Sequence, residues 1–157
     1  MRNTNLAFRT AIINALDAIP YNGKNIYPFE EYYQPSGVRV KAVYTNFEAY
    51  IIVLNQTLND NSPKCVRNDE VSIQIQINTV WPAGKGGSKS AEEISELVIN
   101  RLFTTDGLFK NITMPEPFGL WKMDVLTVRN MNYDENASRV WVTQLVVTAS
   151  VTQNALV

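Results

Sequence analysis

Val71-Ser72-Ile73-Gln74-Ile75-Gln76-Ile77-Asn78 is the stretch whose reading decides the fold. β-Branched and polar residues alternate strictly, and successive side chains of a strand point to opposite faces, so the pattern predicts a strand with one face in the core and one polar and wet. The strand continues to Val80-Trp81-Pro82 and gives way to Ala83-Gly84-Lys85-Gly86-Gly87-Ser88-Lys89, too rich in glycine for a regular element and read as a flexible strand-to-helix linker. Ser90-Ala91-Glu92-Glu93 then has the pattern of a capping box, in which the Ser90 hydroxyl accepts from the Glu93 N–H while Glu93 reaches back. Ile94, Leu97, Val98 and Leu102 supply the buried stripe of that helix and Asp106-Gly107 its stop.

Upstream, Phe8, Ala11, Ile12, Ala15, Leu16 and Ile19 share one helical face, which predicts a helix from Asn5 to Ile19, started by Thr4 or Asn5 and stopped by Pro20-Tyr21-Asn22-Gly23. Ile26–Tyr33 is aromatic but carries Pro28, which fits an edge or bulged strand. Val38–Tyr44 and Ala49–Thr57 read as strands, and the unbroken apolar run Tyr50-Ile51-Ile52-Val53-Leu54 suits a strand covered on both faces. Asn59–Asp69 is a polar excursion with no core-forming residues of its own. Downstream, Leu108–Trp121 is an irregular connector. Strands Lys122–Met131 and Arg139–Thr152 close the chain around a turn at Asn132–Asn136, with Trp141, Leu145, Val147, Ala149 and Val151 on one face and Thr143 interrupting it. The order gives an α+β class: two helices packed on an antiparallel or mixed sheet, with a closing hairpin, as one domain over residues 1–157.

Composition narrows the chemistry. The 157 residues carry a formal net charge of −1, with 45% hydrophobic and 18% charged residues, so no global field attracts nucleic acid or an anionic membrane. No apolar run approaches membrane-spanning length. The chain has no histidine, which removes imidazole bases, Ser-His-Asp and Cys-His systems and nearly every zinc site. Cys65 is the single cysteine, so no intrachain disulfide forms, and neighbouring Lys64 and Arg67 depress a thiol pKa only modestly. A lone cysteine suits a reducing compartment.

The glycine-rich linker superficially resembles a phosphate loop, but anchoring G-x-x-x-x-G-K-[ST] on Lys89-Ser90 requires glycine where Ala83 and Ser88 stand. Carboxylates pair at Glu30-Glu31, Asp69-Glu70, Glu92-Glu93 and Asp134-Glu135. Those of the second helix are explained by the favourable dipole of its first turns, and none lies in an apolar stretch that would raise its pKa. No catalytic, cofactor or metal site emerges. What remains are contact candidates. Tyr27, Phe29, Tyr32 and Tyr33 crowd a proline-interrupted edge, a composition suited to core packing or to a subunit contact. Lys64, Arg67, Lys85 and Lys89 stand in predicted loops, where they meet solvent, partner carboxylates or passing phosphates.

The order of elements, together with the helix end Ala15-Leu16-Asp17-Ala18-Ile19-Pro20, the short strand Ile26-Tyr27-Pro28-Phe29, and the alternating strand that ends at Val80-Trp81 before a glycine-rich loop and the helix Ser90–Phe103, resembles the tail terminator or tail-completion proteins of tailed phages. The closing hairpin Met123–Val151 matches as well, whereas the sequences of Asn59–Asp69 and Leu108–Trp121 depart from the family's pattern. The resemblance implies a non-enzymatic virion protein without cofactors. It would form a homo-oligomeric ring, a hexamer first of all, at the head-tail junction after assembly in the host cytoplasm. There it would meet connector or adaptor and tail proteins, with DNA passing through the lumen without sequence-specific binding and with no membrane contact. A small enzyme or a monomeric ligand-binding module is the alternative; turnover lost with one carboxylate or Cys65, or a tight pocket in a monomer, would mark it.

Overall fold

The computed structural model describes residues 4–29, 41–55, 59–60, 67–104, 108–110 and 112–153. Along the chain the elements are α1 (Thr4–Ala15), β1 (Ile19–Tyr21), β2 (Lys24–Ile26), β3 (Pro28–Phe29), β4 (Ala42–Val43), β5 (Glu48–Asn55), β6 (Asn59–Asp60), β7 (Arg67–Pro82), α2 (Lys89–Leu102), β8 (Phe118–Glu135) and β9 (Ser138–Gln153). β1 and β2 form a small hairpin sheet, and the other seven strands form one mixed sheet in the order β3-β5-β7-β9-β8, with β4 beside β5 and β6 beside β7. Among the described residues only the β3–β5 contact is parallel. The expected α+β class with two helices on a mixed sheet and a closing hairpin is what the chain adopts.

The alternating stretch lies in the middle of β7, paired with β5 on one side and with β9 on the other. Val71, Ile73, Ile75 and Ile77 are fully buried against Phe8, Ile12 and Leu16 of the α1 region and Ile94, Val98 and Leu102 of α2. On the opposite face Ser72, Gln74 and Gln76 are half-exposed, as the pattern requires, and the Gln76 side-chain amide donates to Gln74 at 2.9 Å. Asn78 departs from it and is buried, because its register neighbours are Tyr50 and Val142. β5 is covered on both faces: Ile51 and Val53 join the helix-side core, while Tyr50 and Ile52 form a second cluster with Phe29.

α1 ends earlier than its apolar periodicity suggests. Ala15 is its last residue, Ala18 takes a left-handed φ of 54°, and Ile19 already belongs to β1. Pro20 lies past the helix end, inside β1, and the terminal carbonyls are met by Arg101 of α2. Its guanidinium donates to the carbonyls of Ala15 (3.3 Å), Asp17 (2.8 Å) and Ala18 (3.2 Å), placing positive charge where the helix presents unpaired carbonyl oxygens. Asn22-Gly23, with φ of 45° and 80°, makes the two-residue hairpin turn between β1 and β2.

α2 starts at Lys89, and its N-cap is Ser88 rather than Ser90. The Ser88 carbonyl accepts from the Glu92 N–H at 2.9 Å, and the Glu93 carboxylate faces the Tyr21 hydroxyl at 3.5 Å instead of reaching back to a cap. The helix ends at Leu102; Asp106-Gly107 lies outside the described residues. The expected excursion Asn59–Asp69 is shorter than its composition suggests, since Asn59–Asp60 and Arg67–Asp69 belong to strands and 61–66 lie outside the described residues. Asp69 is buried there and accepts from the Thr4 hydroxyl at 2.5 Å, which ties the start of α1 to β7. The closing hairpin is longer than expected: both strands run to a two-residue turn, Asn136-Ala137, with φ of 46° and 62°.

Candidate contact surface

Sequence reasoning singled out two groups of residues, and the fold separates their members. Tyr27 lies between β2 and β3 and is 42% exposed, whereas Phe29 is buried with its ring stacked on Tyr50 at 5.9 Å. Phe29 is therefore a correction: its ring fills the second cluster and is not offered to a partner. Tyr32, Tyr33 and Lys64 lie outside the described residues, as does Cys65, and Arg67 is placed only by its backbone, opposite Gln153. Lys85 and Lys89 are exposed, Lys85 in the turn after β7 and Lys89 on the first residue of α2.

The glycine-rich loop is held rather than free. Tyr21, Tyr44, Phe47 and Trp81 form a continuous aromatic ladder with ring centroids 5.8, 4.8 and 4.6 Å apart, the last two steps stacked and the first edge-on. Gly86 abuts its end: a Cβ at that position would lie 2.3 Å from the Trp81 ring, and its φ of 81° is itself a glycine conformation. The Trp81 indole N–H donates to the Thr79 hydroxyl at 3.1 Å, and the Trp141 indole N–H reaches the Lys85 carbonyl at 3.5 Å. A shallow cleft opens between this loop and the β4–β5 connection, lined by Thr45, Asn46, Trp81, Pro82, Lys85 and Gly86. The strand-to-helix linker is therefore contacted by two tryptophans that its glycine content does not announce, one at the end of β7 and one on β9. Phe47 and Trp81 are far apart in sequence, so only the β5–β7 register, which sets Glu48 opposite Val80, brings them together.

The titratable groups here offer little chemistry. Burial, helped by the nearby Tyr21, pushes the Tyr44 phenol above its usual range, and its hydroxyl donates to the Tyr21 carbonyl at 2.8 Å. At the far end of the hairpin, the Arg139 guanidinium donates to Asp134 at 3.0 Å and holds that carboxyl below its usual range; the guanidinium also lies 5.9 Å from the Trp141 ring centroid. Among the described residues no three of Cys, Asp and Glu gather as a metal would need, and no helix is long and apolar enough to cross a membrane.

Large apolar side chains are instead offered to solvent at the two edges of the main sheet. Tyr27 and Val43, 42% and 54% exposed, stand on the side of β3 and β4. Trp121, Leu126, Val128 and Tyr133 stand on β8, exposed by 71%, 65%, 56% and 42%. Trp121 and Leu126 sit at the register shifts between Leu120 and Lys122 and between Val125 and Thr127, where β8 bulges away from β9. These bulge residues escaped sequence reasoning because Trp121 was assigned to the connector and Leu126 has the same look as a core residue of a strand.

No family model and no curated protein matches the chain. Among solved structures, it is similar to a chain in the virion of a native gene transfer agent (GTA) particle, with a TM-score of 0.60 and 14% identity over 96% of this chain and 99% of that one. At that identity the likeness is one of fold.

Proposed function

We propose that this chain is a structural subunit of a phage-like virion, working without catalysis or cofactor as a ring-forming tail terminator or tail-completion protein at the head-tail junction. The observation that carries the reading is the end-to-end fold likeness to a chain of the gene transfer agent virion, 96% of one against 99% of the other. A single domain spanning residues 1–157 that functions in a ring is consistent with that likeness. A ring subunit meets its neighbour through two different faces, and the unlike apolar edges, Tyr27 with Val43 and Trp121 with Leu126, supply two. Hexameric closure is the arrangement proposed. Lys85, on the loop that Trp81 and Trp141 contact, and Lys89, at the start of α2, face connector or tail partners or the passing DNA, with each such exposed contact contributing roughly 0–1 kcal/mol. A net charge of −1 lets DNA pass without being held.

Particle assembly without this chain tests the proposal. Electron microscopy should show filled heads separated from tails of irregular length, and adding back the purified chain should restore joined particles. Normal joined particles in its absence would overturn the reading.

A further inference from the structure

β8 pairs with β9 from Phe118 to Glu135, and no described strand lies on its outer side. An edge of that length, carrying Trp121, Leu126 and Val128 in solvent, can still template another strand whose charges match those on the edge. We propose that the free chain caps this edge with a second copy of itself, β8 against β8 in a two-fold antiparallel pairing centred on the Leu126 bulge.

The register follows from the pairing rules. The bulge advances the alternation by one residue, so Asp124, Thr127, Arg129 and Met131 share one face of the strand, opposite Thr148, Val146, Gln144 and Val142 of β9. Met123, Val125, Val128 and Asn130 share the other. Strand pairing requires face to meet face, and a two-fold axis repeats every contact. Setting Asp124 opposite Arg129 satisfies both conditions and places Val125 opposite Val128 and Lys122 opposite Met131. Each interface then holds two carboxylate–guanidinium pairs on one face and two valine pairs on the other. Sliding the register by two residues one way sets Lys122 against Arg129, like charge on like; the other way sets Thr127 against Val128, from opposite faces. Among registers that carry the pairing across the bulge, charge and face together therefore select this one. Asp124 is available for it, being 54% exposed beside Lys122 at 3.6 Å.

A two-fold contact has no place in a ring around the polar axis of a tail. Resting on the ring reading above, the dimer is the form of the chain before assembly, and the edge is released when the ring closes. The dimer itself does not depend on that reading.

Native mass measurement and sedimentation of the full chain test it. The wild type should be a dimer at micromolar concentration. Arg129→Asp and Asp124→Arg should each raise the dimer dissociation constant by about tenfold or more, and combining them should recover most of the loss, because the two charges are exchanged across the same contact. Circular dichroism of the variants should match the wild type, both positions being exposed. A strict monomer, a ring formed directly with no dimer, a dimer indifferent to the single reversals, or a double variant no better than the singles would overturn the proposal. Joined particles formed with Arg129→Asp would leave the ring reading standing whichever way the dimer falls.

Discussion

β9 has two neighbours, and they share its whole length while meeting very different fates. β7 pairs with it from Arg67 to Pro82, and β8 pairs with it from Phe118 to Glu135. Yet Val71, Ile73, Ile75 and Ile77 of β7 are at most 1% exposed, while Leu126 and Val128 of β8 stand at 65% and 56%. The ladder of backbone hydrogen bonds is as long on one side as on the other, so the ladder does not decide burial. What differs is coverage: β7 has a second strand beyond it, β5, and both helices above it, whereas β8 has solvent on its outer edge and two bulges that turn side chains out of the sheet. The interior strand holds the fold together, and the edge strand is left free to make contacts.

The largest effect expected from this contrast is in β7. Ile75→Ala removes buried methyl groups between the helices and the sheet and should cost about 2–5 kcal/mol in denaturant unfolding, because so tight an interior relaxes only partly around the gap. Val128→Ser, the same strand chemistry on the other neighbour of β9, should cost under about 0.5 kcal/mol when both changes are measured in the Arg129→Asp background, where the chain is expected to be monomeric. Equal losses at the two positions in that background would break the comparison and show that β8 is buried within the single chain.

The end of β7 sharpens the contrast further, since there a loop is clamped where composition suggests freedom. Gly84 and Gly86 both have positive φ, but the space around Gly84 is open, while a Cβ at Gly86 would enter the Trp81 ring. Gly84→Ala should therefore cost about 1 kcal/mol from backbone strain alone. Gly86→Ala should cost about 1–3 kcal/mol more, because the indole and the Phe47 ring stacked on it must give way. Thermal unfolding of the pair isolates the ring contact by difference, and equal losses would mean that Trp81 moves aside freely.

The interior strand was legible and the edge strand only partly so, for physical reasons. Ile73, Ile75 and Ile77 alternate with polar residues because one face meets helices, so their period of two survives in the sequence. The run Tyr50–Leu54 lost that period because both faces of β5 are covered, and its continuous apolar character told as much. In β8 the bulges at Trp121 and Leu126 shift the alternation twice, so the strand read as shorter than it is and its exposed residues looked like core. The early end of α1 is not announced locally: Ala18 carries the left-handed turn without being glycine or asparagine, and the carbonyls around it are met by Arg101 of another helix. The aromatic ladder is equally non-local, assembled from β1, the β4–β5 connection and the end of β7, so the contact candidates Lys85 and Lys89 are legible in the sequence while the aromatic contact behind them is not.

At the tip of the hairpin the edge strand has room for improvement, which an interior strand would not. Ala137 holds a φ of 62° in a two-residue turn where the left-handed region is costly for any residue with a Cβ. Ala137→Gly relieves that cost but loosens the unfolded chain, so a net gain of up to about 1 kcal/mol is expected in thermal unfolding. A clear loss of stability would mean that the alanine methyl makes a contact that its exposed position does not reveal.

The smallest effect concerns the ion pair that flanks the same turn. Arg139 donates to Asp134 from the facing strand and depresses the folded-state pKa of that carboxyl below its unfolded value. The stabilisation this provides is present above the unfolded carboxylate pKa and disappears as pH falls through the lower folded value, where the aspartate takes up its proton. Asp134 is fully solvent-exposed, so the contribution is slight and salt should screen it. Asp134→Asn should accordingly be marginally less stable than the wild type at neutral pH, with the two converging on acidification and on addition of salt. A gap that widened as the pH fell would have the wrong sign for a depressed carboxylate, and the absence of a gap at every pH would show that the Arg139–Asp134 pair contributes nothing beyond the Arg139–Trp141 contact.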